Sequence, residues 1–65
     1  MTYYTFRASL HYGPEETIVI RAKDYVMALN VLYFGRDMPI IDKASVIGTS
    51  AKCPKNYDRK HIVSK

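Results

Sequence analysis

Ala22-Lys23-Asp24-Tyr25-Val26-Met27-Ala28-Leu29-Asn30-Val31-Leu32-Tyr33-Phe34-Gly35 decides the fold, because within it a period-two pattern ends and a helical one begins. Asp24 stands where an N-cap belongs, with a carboxylate able to accept a hydrogen bond from an orphan amide of the first turn. Gly35 supplies the stop. Between them Tyr25, Ala28, Leu29 and Leu32 fall on one side at helical spacing, while Val26, Asn30 and Tyr33 or Phe34 lie around the flanks. A helix this apolar on all sides is either covered on more than one side or keeps part of its surface for a partner.

On the N-terminal side, Tyr3 to Tyr12 alternates with period two. Tyr4, Phe6, Ala8, Leu10 and Tyr12 share a core-facing side, and Tyr3, Thr5, Arg7, Ser9 and His11 share the other. Gly13-Pro14-Glu15-Glu16 combines a flexible corner, a fixed φ and two solvated carboxylates, which is hairpin chemistry. Thr17 to Lys23 then reads as a second strand with Ile18, Ile20 and Ala22 inward and Thr17, Val19, Arg21 and Lys23 outward. Beyond the helix, Pro39 closes a short loop and extended character resumes, giving a third strand near Lys43 to Ser50.

The order strand, strand, helix, strand restricts the topology. The third strand leaves the helix parallel to the second and must lie beyond the first, so the expected sheet is three-stranded, antiparallel and ordered 2-1-3. The helix forms a right-handed crossover on one face and leaves the other open. The expected class is therefore α+β (ββαβ) over residues 1–51, followed by a basic C-terminal tail over 52–65 that is at most a docked extension, with Ile62 and Val63 as an anchor.

Charge supports that division. Residues 1–51 carry Arg7, Arg21, Lys23, Arg36 and Lys43 against Glu15, Glu16, Asp24, Asp37 and Asp42, so they are neutral. From Lys52 onward, Lys52, Lys55, Arg59, Lys60 and Lys65 face Asp58 alone, which accounts for the whole net charge of +4. A neutral module with a cationic extension suits an acidic partner, whether nucleic acid or an acidic protein face; a solvated terminus that aids solubility has the same composition.

Several chemistries are not expected. Cys53 is the single cysteine, so no intramolecular disulfide framework exists, and a reducing cytoplasmic setting is expected. Its place before Pro54 in a polar segment offers no base to activate a thiol. His11, His61 and Cys53 lack the spacing of structural metal sites. Glu15 and Glu16 share a turn that projects into water, so neither catalysis nor a cofactor is expected. The run Tyr25 to Phe34 is far shorter than the roughly 20 residues that span a bilayer, and no basic region precedes an apolar stretch at the start, so no membrane partner or secretory signal is expected.

Two interaction surfaces stand out instead. Thr5, Arg7, Ser9, His11 and Arg21 line the uncovered sheet face and are candidates for binding a protein partner by occlusion or strand addition. Lys52, Lys55, Arg59 and Lys60, with Tyr57 to stack on bases, are the alternative candidates for RNA or single-stranded DNA. The six tyrosines fit either stacking platforms or a small core closed at its edges by half-buried rings. Homodimerisation is a third course for a small sheet with free edges and an apolar helix.

Phe6-Arg7-Ala8-Ser9-Leu10, Ala22-Lys23-Asp24-Tyr25-Val26-Met27-Ala28-Leu29 and Cys53-Pro54-Lys55 carry a resemblance to the small strand-strand-helix-strand host-takeover proteins of bacteriophages, among them the coliphage inhibitors of bacterial RNA polymerase. It spans about residues 4 to 55. It implies a chain that docks on and blocks a host protein, such as one of the transcription or defence machinery, in the host cytoplasm. Those inhibitors use an acidic residue at the start of strand two and arginines along strand three. The matching positions here hold Thr17, beside Glu16, and Ser45, Ile47 and Thr49, so the resemblance implies the broader class and not the polymerase target. A ribosome-associated basic module is the alternative of similar fold.

Overall fold

In a computed structural model that describes residues 1–63, the alternation expected of the first strand is seen at its centre, where Phe6 and Ala8 are buried and Arg7 between them is exposed, while the flanking residues are half-buried on both sides. The strand, β1, runs Thr2–Leu10, a hairpin leads to β2 over Glu16–Ala22, and the helix α1 occupies Tyr25–Phe34. A third strand, β3, covers Ile41–Ser50, and a fourth, β4, covers Arg59–Ile62. Ser64 and Lys65, the end of the expected tail, lie outside the described residues.

The sheet order is β3-β1-β2-β4, so the expected 2-1-3 arrangement forms its first three members. Two corrections follow. The sheet has four strands, and it is mixed: β1 pairs antiparallel with β2 and β3, while β4 pairs parallel with β2, placing Ile18 beside Arg59 and Arg21 beside Ile62. Residues 59–62 are therefore a strand rather than part of a free tail. The Asp58 amide donates to the Thr17 carbonyl and the Val63 amide to the Arg21 carbonyl, extending the ladder at both ends. Asp58 Oδ2 accepts from the Thr17 amide at 2.8 Å, and Arg59 Nε donates to Glu16 Oε1 at 3.0 Å. At the other end of the hairpin, Tyr12 is not part of β1; it lies in the turn, largely exposed.

Alanines let α1 lie close to the sheet. Ala8, Ala22 and Ala28 are fully buried with Phe6, Ile18, Ile20 and Leu32 in one cluster, and Tyr4, Leu10, Met27, Leu29, Ala44 and Val63 pack around it. The helix rests mainly over β2. Asp24 caps it as expected, its carboxylate accepting from the Met27 amide at 2.8 Å.

Val19 points away from this cluster, as its parity requires, yet has 0% of its surface exposed rather than facing solvent. The route of residues 51–58 accounts for it. Ser50 sits beside Tyr3 and Arg59 beside Ile18, so the chain must pass β1 and β2 to join β3 to β4. Three strand spacings make about 14 Å across and three residues about 10 Å along the strands, a diagonal that eight residues bridge easily. With α1 on one face, the right-handed rule for crossovers between parallel strands sends the return over the other face. The segment lies over Val19, and the face expected to be open is partly roofed.

Gly35 ends the helix by room and not by a left-handed backbone. Its φ is −67°, its amide donates to the Val31 carbonyl, and a Cβ placed there would stand 2.4 Å from the Val31 oxygen. The left-handed residue of this loop is Asp37, at φ 66°. Gly48 in β3 is the opposite case, since an added Cβ would meet nothing within 4 Å. Gly35→Ala is expected to lower stability by about 1–3 kcal/mol through forced displacement of the helix end. Gly48→Ala is expected to raise it by roughly 0.5–1 kcal/mol by restricting the unfolded chain. Urea denaturation of the two variants checks the opposite signs.

Loss of the roof and of β4 should be felt globally. Burying Val19 contributes about 1.5–3 kcal/mol, against a total of roughly 3–10 kcal/mol for a chain of this length. Truncation after Ala51 is expected to abolish or greatly lower the cooperative unfolding transition followed by circular dichroism. A truncated chain melting within about 5 °C of the parent would show the segment to be an appendage.

Candidate interaction surfaces

Among the described residues no group of three or more His, Cys, Asp or Glu side chains is placed to hold a metal, no pocket is present, and no helix is long and apolar enough to cross a membrane. Cys53 is half-buried, with its Sγ 3.4 Å from the Pro54 carbonyl oxygen. The fold presents two candidate interaction surfaces.

The first is the sheet face turned away from α1. Strand parity brings Thr5, Arg7, Ser9 and Arg21 to it, and most are engaged within the chain. Arg7 Nε donates to Glu15 Oε1 at 3.2 Å and its Nη1 to Thr17 Oγ1 at 2.9 Å, while Ser9 Oγ donates to Glu15 Oε2 at 3.4 Å. These exposed contacts tie the hairpin to the strands and contribute little stability individually. His11, just past β1, lies 2.9 Å through Nδ1 from Asp42 Oδ1. Asp42 is the extra residue where the β1–β3 register slips between Ser9 and Leu10, so this bulge aims its carboxylate at the imidazole. Arg21 sits over the Tyr3 ring at 5.9 Å from its centroid. Thr5 is half-buried beside Val19.

The residues singled out as a nucleic-acid set divide between the two faces. Lys60 pairs in register with Val19 and so shares the face away from α1, where its Nζ lies 5.7 Å from the Tyr57 ring centroid. Lys52 and Lys55 are exposed and belong to the crossover that the handedness rule carries over that face. Arg59 is on the other side, in register with Ile18 and paired with Glu16. Its charge is spent within the fold.

The second surface joins α1 to β3. At 3.6 residues per turn Tyr25, Leu29 and Tyr33 run along one flank of α1. The Tyr25 ring stands 5.8 Å from that of Tyr4 and 6.2 Å from that of Phe6, so this flank faces β1 and, beyond it, β3. Because α1 rests over β2, β3 is covered on the helix side chiefly at Ile41 and Ala44, which pack against the core. Val46, in register with Phe6, is 41% exposed, close to the 41% of Tyr25 and 42% of Tyr33. Tyr25 and Val46 both adjoin Phe6 and form a partly exposed apolar shelf, with Tyr33 two turns further along the helix. The shelf borders the outer edge of β3, which pairs with no strand among the described residues. Ile47, the extra residue of the second bulge in β3, is 60% exposed at that edge.

Sequence reasoning noticed that α1 is apolar on all sides but did not name Tyr25, Tyr33, Val46 or Ile47 as a surface. The adjacent Val46-Ile47 in a strand otherwise built of small and polar residues was the available signal. No family model matches the chain, and neither the curated proteins nor the solved structures contain a match to it. The likeness to the phage proteins accordingly rests on the quoted motifs alone.

Proposed function

We propose that this chain is a stoichiometric protein-binding module without catalytic activity, which docks an extended segment of a partner against β3 and blocks it by occlusion. In the context suggested by the phage resemblance, the partner is a host protein in the bacterial cytoplasm. The observation that carries the reading is the ten-residue outer edge of β3, unpaired among the described residues and flanked by the exposed apolar shelf. An edge of that length offers a row of backbone donors and acceptors that another strand can satisfy. Alternate side chains of the added strand would fall on the shelf between Tyr25, Tyr33 and Val46, giving the mode its selectivity. The bulges at Asp42 and Ile47 and the single Lys43 limit indiscriminate pairing without closing the edge. Aromatic side chains half-buried at a site's rim gain the most when a partner completes their burial.

The test is capture from nuclease-treated bacterial lysate by the tagged full-length chain, with mass spectrometry of what is retained. One dominant protein is expected, and capture is expected to fall at least about tenfold with Ile47→Lys or Tyr33→Lys, both at exposed positions where the fold tolerates charge. Arg7→Glu and Arg21→Glu are expected to leave it unchanged. Capture that survives the first pair and is lost with the second would move the interface to the opposite sheet face. Sedimentation of the purified chain separates the remaining course: a dimer dissociated by Ile47→Lys would make the strand partner a second copy.

A further inference from the structure

The two faces of the sheet differ in charge far more than the sequence division at residue 51 suggests. Lys43 is in register with Ser9, so it joins Arg7, Arg21 and Lys60 on the face away from α1, and Lys52 and Lys55 rise from the crossover above the same face. Acidic groups there are few and engaged: Glu15 is held by Arg7, Asp42 lies 2.9 Å from His11 Nδ1, and Asp58 accepts from the Thr17 amide. The opposite side carries a helix without a single charged residue and the self-neutralised pair Arg59–Glu16. Positive potential is concentrated on one side of a very small domain.

Two tyrosines are set into this field. Tyr57, exposed on the crossover, lies beside Lys60, and Tyr3 lies beneath Arg21. Each pair places a cation within about one nucleotide's reach of an aromatic face. From this juxtaposition we propose that the face away from α1 binds a single-stranded polynucleotide, its phosphates running past Lys60, Lys52 and Lys55 and a base stacking on Tyr57. Charge complementarity selects a polyanion, and exposed rings beside cations select one whose bases are unstacked, which a duplex does not offer. The roofed sheet presents a ridge rather than a helix or ribbon able to enter a major groove, and nothing on it has the bidentate geometry of base readout. Binding should be indifferent to sequence. This surface is separate from the β3 edge, so the inference does not rest on the strand-addition reading, and a ternary arrangement of protein, module and nucleic acid is sterically open.

The measurement is fluorescence anisotropy of the full-length chain with labelled oligo-dT, oligo-U and a duplex of equal length, across a salt series. Both single strands are expected to bind, the duplex more weakly, and the affinity to fall with salt at a logarithmic slope of roughly −2 to −3, which corresponds to three or four neutralised phosphates. Lys60→Glu, and Lys52→Glu combined with Lys55→Glu, are expected to weaken binding more than tenfold and to flatten the slope. Tyr57→Ala is expected to weaken it by on the order of tenfold with the slope unchanged. Val26→Ser, an uncharged change at an exposed position of α1, serves as the control that should leave binding intact. Absence of binding at low salt, equal affinity for the duplex, or insensitivity to all the lysine changes in variants whose melting matches the parent would each overturn the proposal.

Discussion

Ile18-Val19-Ile20 in β2 is the constraint from which the rest of the structure follows, because all three consecutive residues are without exposed surface. A strand with one covered face buries alternate residues; burial of neighbours requires cover on both. Helix α1 supplies it on one side, bringing Ala28 and Leu32 against Ile18 and Ile20. The crossover of residues 51–58 supplies it on the other, and β4 then seals the outer edge of β2 with a short parallel ladder. In a chain of this size only one strand can be treated so thoroughly, since the fraction of surface that folding buries shrinks as chains become shorter.

That concentration of cover on β2 leaves β3 at the far edge with little. It carries ten residues, none of them fully buried, and is held almost entirely by its pairing with β1. Both bulges of the sheet fall on this pairing, which is where curvature can be absorbed without disturbing the core. The apolar shelf beside α1 is therefore a consequence of where the helix had to go, rather than an independent feature. A stable edge and an exposed apolar surface arise together because the packing that secures β2 is the same packing that draws α1 away from Val46.

Local chemistry explains why some of this was legible in the sequence and some was not. Asp24 and Gly35 bracket α1 at the expected residues, and strict alternation from Tyr4 to Leu10 fixed the core face of β1, so the order of the first three strands could be deduced from connection rules. Reading Thr17 to Lys23 as the same kind of alternation missed the unbroken Ile-Val-Ile run that signals two-sided burial. β4 gave almost no signal: Arg-Lys-His-Ile has neither alternation nor strand propensity. Its position depends on partners more than forty residues away, Glu16 for Arg59 and the Thr17 backbone for Asp58. Those pairings are created by the fold and cannot be read from either segment alone. The surface between α1 and β3 was missed for the same reason, since the half-exposure of Tyr25, Tyr33 and Val46 is set by the offset of the helix.

The C-terminal charge, read linearly, belonged to a basic tail that was at most a docked extension; in the folded chain it is redistributed by topology. Strand parity sends Arg59 to the side where Glu16 neutralises it and Lys60 to the side where Tyr57 lies, so adjacent cations acquire different roles from one peptide unit of separation. The handedness that carries residues 51–58 over Val19 also carries Lys52 and Lys55 onto the face already bearing Arg7, Arg21 and Lys43. The apolar side of the domain is kept free of charge by a helix that contains none, and the polar side gathers cations from segments far apart in sequence. Hydrophobic cover for β2 and electrostatic asymmetry of the whole domain are thus two effects of a single crossover. Reversing its hand would leave Val19 bare and set Lys52 and Lys55 against α1, removing both the cover and the asymmetry.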